Sequence, residues 1–539
     1  MRKPIVITGC GMIAASKISK IKHLDFEGFA FPVGEVDFTN EDLKKQLGIH
    51  AETEIGRTTL LGIHALKQAA DQAGVTAGTQ GRKTLISGTT AGEMDLTERF
   101  WKDIEHHTPI LLRHDCGNCT KNIANHFGYI DECTTISTAC SSGANAILEG
   151  AELIEAGKAD IVFAGGSEAL TKFHLSGFAS LMILDRNVCR PFAPDHAGLN
   201  LGEGAAYIAM ETEEHAIARG AKILCYLSGG GNACDAHHQT ATSPDGEGAY
   251  LAMTQALKNA NITAADIQYV NAHGTGTINN DESETAALHR IFGEQLPKVE
   301  STKSITGHTT SAAGAIEAVL CVKKLQEDPS LQNVMDNSFG FGGNDTSLIF
   351  SRRKTGGSIN SFDDSIQTET AARCEIASED DIAEIKQYLK PAEYRRMGKI
   401  LRSSLLTSLK ALQASGIQVP DAIVTATVLG CWENSEKILD DLPEPKPTLF
   451  MQSTHNTISS NIAIYLKCHG YNITYTQVDD AIDRALRKAE LLIKSGKAES
   501  VLVGLHEEYT PKYIDLMLQN GVNNLIPLHS LSIVLKKKS

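Results

Sequence analysis

The sequence lacks both a membrane-spanning segment and a basic stripe. No apolar run approaches the roughly 18 residues needed to cross a bilayer. The 539 residues carry a formal net charge of -15, and the closing Lys536–Lys538 is short and predicts a solvated tail. Nucleic-acid backbones are bound by clustered Lys and Arg side chains, so this composition argues against a general nucleic-acid-binding protein.

The twelve cysteines lack the spacing of a secreted disulfide framework. Cys116 and Cys119 have CxxC spacing, but no second pair completes a zinc site, so we expect neither a metal nor a redox centre there. Near the N-terminus, Gly9 interrupts the apolar run where a signal peptide would continue, and a first buried strand is predicted instead. These features predict buried thiols and a cytoplasmic location.

Proline is also scarce, with 15 residues against 46 glycines, which indicates tight turns rather than disordered linkers. The length favours two or three compact units. Short apolar runs alternate with amphipathic stretches over residues 1–353, which predicts an α/β domain. The polar, Gly- and Ser-rich segment 354–369 is predicted to be a linker, and a second α/β unit is predicted over 370–539.

The second unit repeats part of the first. In both, an Asn-Ile-Ala segment leads through a strand, a helix and a Gly-Lys-Ala-Asp or Gly-Lys-Ala-Glu segment to a second strand that ends in Glu. The offset is constant, because Glu168 and Glu507 are 339 residues apart, as are the two Gly-Lys-Ala segments. At this offset Cys140 corresponds to Asp479, so the repeat keeps the strand–helix–strand arrangement but lacks the thiol. Chance likeness between two strand–helix–strand segments is the alternative.

Cys140 lies where the β-rich stretch Thr134–Thr138 turns into a helix. Unpaired backbone N–H groups and the positive end of the helix dipole favour a thiolate, so we expect a lowered pKa for this thiol. Small residues on either side leave room for a substrate. A lone cysteine at a helix start is more often structural, so its assignment as a nucleophile depends on its partners.

Two histidines and a lysine supply those partners. His273 follows a strand and lies in a turn where Thr275 and Thr277 offer hydroxyls. Lys303 and His308 precede a helix of small residues that permits close packing. Two His and one Lys around a Cys suit a reaction in which a carboxylate leaves as CO2 and negative charge develops on an enolate oxygen.

Four motifs occur in a fixed order along the first unit: Thr138-Ala-Cys140-Ser-Ser-Gly, Asn271-Ala-His273-Gly-Thr-Gly-Thr, Lys303-Ser-Ile-Thr-Gly-His308 and Asn337-Ser-Phe-Gly-Phe341-Gly-Gly-Asn. In this order they resemble a β-ketoacyl-[acyl carrier protein] synthase of the elongating Cys-His-His kind, in the thiolase superfamily. The resemblance covers residues 1–353.

The resemblance implies a role for each motif residue. Cys140 would accept the acyl chain as a thioester, and His273 and His308 would stabilise the enolate or activate water as a malonyl thioester loses CO2. Lys303 would orient His308 or tune its charge. The remaining implied roles are Glu317 in the same buried network, the backbone N–H groups of Cys140 and Phe341 as the oxyanion hole, the Phe341 side chain as the gate of the acyl pocket, and Thr275 and Thr277 as contacts of the pantetheine arm.

The resemblance also implies a thiolase-like layered αβαβα fold with an additional C-terminal half-thiolase-like α/β domain. It implies an acyl carrier protein as partner, and pairing as a homodimer or pseudo-dimer through the synthase-like domains. No metal, nucleotide or flavin is called for, because the thioester supplies the activation and CO2 loss drives the reaction. The glycine-rich stretch Leu227–Asn232 has neither GxGxxG spacing nor a P-loop lysine, so no phosphate site is expected there.

The second unit resembles the N-terminal half of a synthase, and more closely the chain-length-factor partners found beside pigment and polyketide synthases, through residues 450–460 and 501–504. Asp479 replaces the nucleophile, neither His motif recurs, and His455 has no aligned thiol, so we expect no catalysis there. This half-synthase would imitate part of a dimer partner and shape the acyl tunnel. The alternative is a remnant that stabilises the first unit.

Other functions stay open at this point. A degradative thiolase would need a second Cys near the glycine-rich motif that instead holds Phe341. A noncatalytic scaffold suits residues 354–539 better than the complete motif set of residues 1–353. A partner that only decarboxylates starter units would need no Cys140. The acyl chain length, and the choice among fatty acid, polyketide and aryl-polyene or pigment pathways, is beyond the sequence.

Overall fold

The structure is a computed structural model that describes residues 3–356 and 362–538. Its strands are β1 (Ile5–Ala14), β2 (Lys83–Gly88), β3 (Glu132–Ile136), β4 (Ile161–Glu168), β5 (Gly204–Thr212), β6 (Cys225–Cys234), β7 (Tyr269–Asn271), β8 (Lys298–Glu300), β9 (Asn333–Gly340), β10 (Asn344–Ser351), β11 (Thr368–Ile376), β12 (Ala422–Thr427), β13 (Tyr471–Thr476), β14 (Ser500–Glu508) and β15 (Leu528–Lys537). Its α-helices are α1 (Asn40–Leu47), α2 (Arg57–Ala73), α3 (Met94–Phe100), α4 (Cys116–Phe127), α5 (Ser142–Glu155), α6 (Lys172–Ser180), α7 (Glu213–Ala218), α8 (Glu247–Ala260), α9 (Ile278–Phe292), α10 (Lys303–Thr306), α11 (Ala313–Glu327), α12 (Pro391–Arg396), α13 (Lys399–Ser415), α14 (Trp432–Asp441), α15 (Pro447–Met451), α16 (Thr457–Leu466), α17 (Ala481–Lys494) and α18 (Pro511–Gln519).

The first unit consists of five layers. One sheet has the order β3-β2-β4-β5-β1 and the other β6-β10-β9-β7-β8, and they join where β1 pairs with both β5 and β6. The small-residue helices α5 and α11 contact strands of both sheets, while α2 and α8 cover the outer faces. The predicted thiolase-like αβαβα fold is therefore confirmed.

The second unit is one sheet, β11-β15-β14-β12-β13, with α13 and α16 on one face and α17 on the other. In the described residues no second sheet covers α17. The sequence of this helix has the polar outer face that an uncovered position requires. Whereas α5 is buried over almost its whole length, α17 exposes Asp483, Arg487 and Glu490 and buries an alanine-rich stripe. β12, β13, β14, α17 and α18 each begin 339 residues after β2, β3, β4, α5 and α6.

The two units meet around a local two-fold axis. Tyr475 in β13 pairs antiparallel with Ile136 in β3, which makes one continuous sheet. On the adjoining helices, Lys488 Nζ lies 2.5 Å from Glu149 Oε2. Both contacts join residues 339 positions apart. A residue that meets its own repeat equivalent lies on the symmetry axis of an isologous pairing, so the chain contains a pseudo-dimer interface within itself.

The glycine-rich stretch expected to bind no phosphate lies inside β6. A Cβ on Gly229 or Gly231 would come within 2.3 or 2.2 Å of a backbone oxygen of α8, so these glycines permit close strand–helix packing. Of the predicted linker 354–369, residues 357–361 lie outside the described residues, and β11 begins inside its last two positions. The predicted domain boundaries stay predictions. Within residues 3–356 and 362–538, no helix combines the length and apolarity needed to cross a membrane.

Candidate active site

Cys140 lies in a sharp turn between β3 and α5. A single 3-10 turn, Ala139–Ser141, joins the two elements, and Ala139 has φ 52°, in the left-handed region that residues other than Gly rarely adopt. Ser142 Oγ holds the turn, since it accepts from the Thr138 N–H at 2.9 Å and donates to the Ala139 carbonyl at 2.6 Å. The turn fixes the thiol at the start of α5, where it lines two cavities.

His308 contacts the thiol directly. Its Nε2 lies 3.0 Å from Cys140 Sγ. The backbone holds His308 in place, because its N–H donates to the Asn200 carbonyl at 2.7 Å and its own carbonyl accepts from the Gly202 N–H at 3.0 Å. The His273 ring lies 5.4 Å from the His308 ring, nearly perpendicular to it. The predicted cysteine and two histidines are thus brought together.

Lys303 hydrogen-bonds to His273 rather than to His308. Its buried ammonium donates to the His273 carbonyl at 2.6 Å and to Glu317 Oε1 at 2.6 Å, and lies 3.5 Å from His273 Nδ1. Of the two expected roles, orienting His308 is wrong, because the hydrogen bonds of Lys303 are directed to His273. Tuning the charge of His308 agrees with the structure, because the positive charge of Lys303 adds to burial in lowering the pKa of that ring. Glu317 lies in the network, as predicted from the resemblance.

The charges of the site favour a thiol and neutral imidazoles at rest. Burial, followed by the positive charge of Lys303, holds the pKa of His273 and His308 well below its usual value. Burial raises the pKa of Cys140 to about 12, although Lys303 and the Phe341 N–H act in the opposite direction. The expected lowering of this pKa is wrong, because the loss of hydration of a thiolate outweighs the helix start.

Phe341 lies in a turn that both units hold. Its N–H is directed at the Cys140 sulfur, and its ring stacks on Phe178 at 5.8 Å between centroids. From the second unit, Asn456 Nδ2 donates to the Phe341 carbonyl at 2.8 Å. A Cβ on Gly342, which has φ 88°, would lie 2.2 Å from Ser460 Oγ, so only glycine permits this contact.

Glu284 is a buried member of the site that was not predicted from the sequence. Its two carboxylate oxygens accept from the His273 N–H at 2.9 Å and the Gly274 N–H at 2.8 Å. Burial raises its pKa to about 7. One signal was present, because Asp281 and Glu284 are three residues apart on α9 and so face the preceding turn together.

Two cavities meet at the thiol. An outer cavity of about 560 Å³ is lined by His273 and His308, and by Thr275 and Thr277, whose hydroxyls lie 2.9 Å apart. An inner cavity of about 50 Å³ lies on the other side of the Phe178 and Phe341 rings. Cys140, Phe178 and Phe341 line both. The second unit contributes part of the inner wall: Leu429, Ser435, Phe450, Ser453, Thr454 and His455.

Asp479, the residue of the second unit that corresponds to Cys140, does not lie in a buried site. Asp479 is exposed, with Lys121 Nζ at 3.4 Å as its ionic partner. His455 Nδ1 lies 3.1 Å from Ser137 Oγ, so this histidine belongs to the wall of the first unit's inner cavity. Among the described residues no pair of histidines contacts Asp479, whereas the Cys140 thiol contacts His308, with His273 beside it.

Family models match most of the chain. The model "Beta-ketoacyl synthase, N-terminal domain" matches residues 39–216 and again residues 347–519, and "Beta-ketoacyl synthase, C-terminal domain" matches residues 224–334. The two N-terminal matches correspond to the two units of the fold, and the C-terminal model matches only the first.

Curated relatives and solved structures agree with this match. The 3-oxoacyl-[acyl-carrier-protein] synthase 2 of Vibrio harveyi is 32% identical over 415 residues, which cover 65% of this chain and 99% of the relative. That of Rhizobium meliloti (strain 1021) is 41% identical over 258 residues, and there the chain spans 61% of the relative's length. The ishigamide ketosynthase/chain length factor has a TM-score of 0.60 at 29% identity and covers 66% of this chain and 100% of its own. The PfaC keto synthase–chain length factor covers 99% of this chain and 78% of its own with a TM-score of 0.77, and at 15% identity it shows the fold alone.

Proposed function

The chain belongs to the β-ketoacyl synthase family, and from this premise we propose that it condenses an acyl group carried on Cys140 with a malonyl thioester, releasing CO2 and forming a β-ketoacyl thioester. One observation carries the proposal. The Cys140 thiol contacts His308 Nε2 at 3.0 Å, with His273 beside it, where two cavities meet.

The first half-reaction loads Cys140. As His308 Nε2 takes the thiol proton, the sulfur attacks the thioester carbonyl of the incoming acyl group. The new bond joins Cys140 Sγ to the acyl carbon, and the bond from that carbon to the donor sulfur breaks. The donor sulfur leaves as a thiol, with the proton held by His308. The N–H groups of Phe341 and Cys140 stabilise the tetrahedral oxyanion.

The second half-reaction uses both histidines as neutral donors. The malonyl carboxylate leaves as CO2, and its bonding electrons pass to an enolate whose oxygen accepts hydrogen bonds from His273 and His308. The enolate carbon attacks the Cys140 thioester and the Cys140 carbon–sulfur bond breaks. The released thiolate takes up one proton from solvent through His308, which restores the thiol. Neutral imidazoles suit this role, and burial together with Lys303 keeps both pKa values low. Lys303 and Glu317 position His273.

An acyl carrier protein is the proposed source of both thioesters. A groove beside the outer cavity supports it, since Met451 lines both, and six basic side chains against two acidic ones surround the groove: Arg395, Arg396, Lys399, Arg402, Lys437 and Lys467 against Glu393 and Glu433. This basic surface on a chain of net charge -15 suits an acidic partner with a phosphate-bearing arm. Thr275 and Thr277 would contact that arm in the outer cavity.

The second unit is proposed to act as the dimer partner of the first. Its six side chains in the inner cavity, and its Asn456 contact with the Phe341 turn, support a role in shaping the acyl pocket. No resident cofactor is proposed. A cytoplasmic location is proposed because none of the twelve cysteines, all within the described residues, forms a disulfide.

The proposal is tested by condensation. We expect purified full-length chain to release CO2 and form a β-ketoacyl product from an acyl and a malonyl carrier thioester. Cys140→Ala should abolish product formation. His308→Ala should lower its rate by about 100-fold or more, since general-base assistance contributes that much. CO2 release without condensation in the unaltered protein would support a starter-unit decarboxylase instead, and inertness in both assays would support a noncatalytic partner.

A further inference from the structure

The inner cavity has a mostly apolar wall that also carries imidazole and carboxyl side chains. Its wall includes the imidazoles of His114, His174 and His455 together with the Asp115 carboxyl. All four side chains are buried. Apolar side chains predominate in pockets for apolar ligands, and polar groups there are few and serve orientation and specificity.

Among the described residues, the imidazoles of His114 and His455 each use only one ring nitrogen in a hydrogen bond. His114 Nδ1 lies 2.8 Å from Thr97 Oγ1, and His455 Nδ1 lies 3.1 Å from Ser137 Oγ. Within residues 3–356 and 362–538, the ring hydrogen bonds of both histidines go through Nδ1, and neither Nε2 atom makes one. Buried polar groups in folded proteins are nearly always paired, so these atoms are available to a ligand.

A hydroxyl and the local charge define the ligand further. Thr310 Oγ1, in the same wall, has no partner among the described residues. Burial lowers the pKa of His114 to about 3 and that of His455 to about 4, so both rings are neutral at pH 7. Burial raises the pKa of Asp115 only to about 6, so its carboxylate is largely ionised at that pH. A neutral oxygen fits this wall, whereas an anionic acyl end would be repelled.

We propose that the acyl group held on Cys140 is short and carries a neutral oxygen, as a hydroxyl or ketone, that hydrogen-bonds to His114 and His455. This rests on the proposed acylation of Cys140. The cavity of about 50 Å³ equals roughly four water-sized volumes, which limits the acyl group to a few atoms beyond the carbonyl. Because His455 belongs to the second unit, the degenerate half of the chain supplies part of the substrate selectivity.

Isosteric pairs of acyl groups test this inference on the full chain. The first pair consists of the pantetheine thioesters of 3-hydroxybutyrate and 3-methylbutyrate, and the second of those of 5-oxohexanoate and 5-methylhexanoate. Within each pair, one member has an oxygen where the other has a methyl group. We expect Cys140 to be acylated about tenfold faster or more by the oxygenated member of at least one pair, because a site built to hydrogen-bond an oxygen rejects the analogue that lacks it. The readout is the initial rate of mass gain on the intact protein.

Variants separate recognition from folding. His455→Phe should reduce the preference towards unity, whereas His455→Gln, which keeps a polar end, should retain most of it. His114→Phe should act like His455→Phe, and thermal unfolding identifies any variant that fails to fold. Equal rates within both pairs, or an unchanged preference in His455→Phe, would overturn the inference and leave the proposed function intact. Absence of acylation by all four thioesters would overturn the proposed function itself.

Discussion

Glu284 accepts hydrogen bonds from two consecutive N–H groups, and this contact sets the position of His273. The carboxylate does not reach the outer cavity lining, so it is a positioning residue for the histidine. With a pKa near 7, it loses acceptor capacity as it gains a proton below neutral pH. The orientation of His273 is therefore coupled to pH.

Glu284→Gln tests this coupling. One amide oxygen replaces two carboxylate oxygens, so we expect the condensation kcat to fall roughly tenfold, in line with the loss of a charge-assisted hydrogen bond. The KM for the malonyl thioester should change little. In the unaltered protein kcat should rise as pH increases through about 7, and this limb should be absent from the variant. A pH profile that keeps the limb in Glu284→Gln would assign it to another group.

The motif order allowed the sequence to predict Cys140, His273 and His308 as one site. It did not predict the pKa of the thiol, because burial depends on how α5 and α11 pack between the two sheets. Nor did it predict the target of Lys303, which depends on the spatial relation of two turns 30 residues apart. Glu284 was missed because its partners are backbone atoms that carry no residue identity.

Phe450 is one of the six second-unit side chains that line the inner cavity. A Cβ on Gly177 would lie 2.1 Å from Phe450 Cδ2, so the ring fills the space that this glycine leaves. Phe450→Ala should enlarge the cavity and shift acylation towards longer chains, measured by competition among acyl thioesters of increasing length. It should also cost about 3–5 kcal/mol of stability. Phe350→Ala, buried in the first unit's core, is the matched control, with a similar stability cost and unchanged length preference.

At the scale of elements, α5 and α17 show how the repeat diverged. Position 149 of the first unit meets position 488 of the second, and a homodimer of the first unit would place Glu149 against itself. In this chain Lys488 instead pairs with both Glu149 and Glu152, and Lys497 Nζ lies 2.6 Å from Glu152 Oε1. The charge pattern therefore favours pairing of the first unit with the second. The polar outer face of α17 was readable from sequence, but this cross-unit contact was not.

Lys488→Met should destabilise the protein by about 3–5 kcal/mol at pH 7, because two buried carboxylates lose their counter-ion. Burial acts to raise the pKa of Glu152, but Lys488 and Lys497 outweigh it and lower this pKa from 4.5 to about 2. In the unaltered protein their stabilisation is therefore complete above pH 4.5 and is lost as pH falls towards 2. Denaturant unfolding across pH 3–8 measures both effects. The triple variant Lys488→Met with Glu149→Gln and Glu152→Gln should recover most of the loss. If Lys488→Met alone were neutral, the ion pairs would not hold the units together.

At the scale of the whole molecule, one catalytic unit and one degenerate half-unit share a continuous sheet. The basic groove lies beside the outer cavity and is lined by α12 to α16 of the second unit and by residues 237–239 of the first. The repeat offset, visible in the sequence, predicted this pairing of similar elements. The groove was not predictable, since its basic side chains are spread over residues 395–467 and converge only in the fold.

Charge reversal tests the groove. Arg395 and Arg396 are exposed, so the double variant Arg395→Glu and Arg396→Glu should fold normally. It should raise the KM for carrier-bound acyl groups about tenfold or more at low salt, and leave acylation by pantetheine thioesters unchanged. Lys44→Glu with Lys45→Glu on α1 is the matched control. An equal loss with carrier-bound and pantetheine-bound substrates would place the defect in the active site.

Peptide-level mass spectrometry of the full chain after incubation with an acyl carrier thioester tests whether Cys140 is the nucleophile. We expect one acyl adduct per chain, on the peptide that contains Cys140, and none in the Cys140→Ala variant. An adduct on any of the other eleven cysteines, or no adduct while the carrier thioester stays intact, would contradict this assignment.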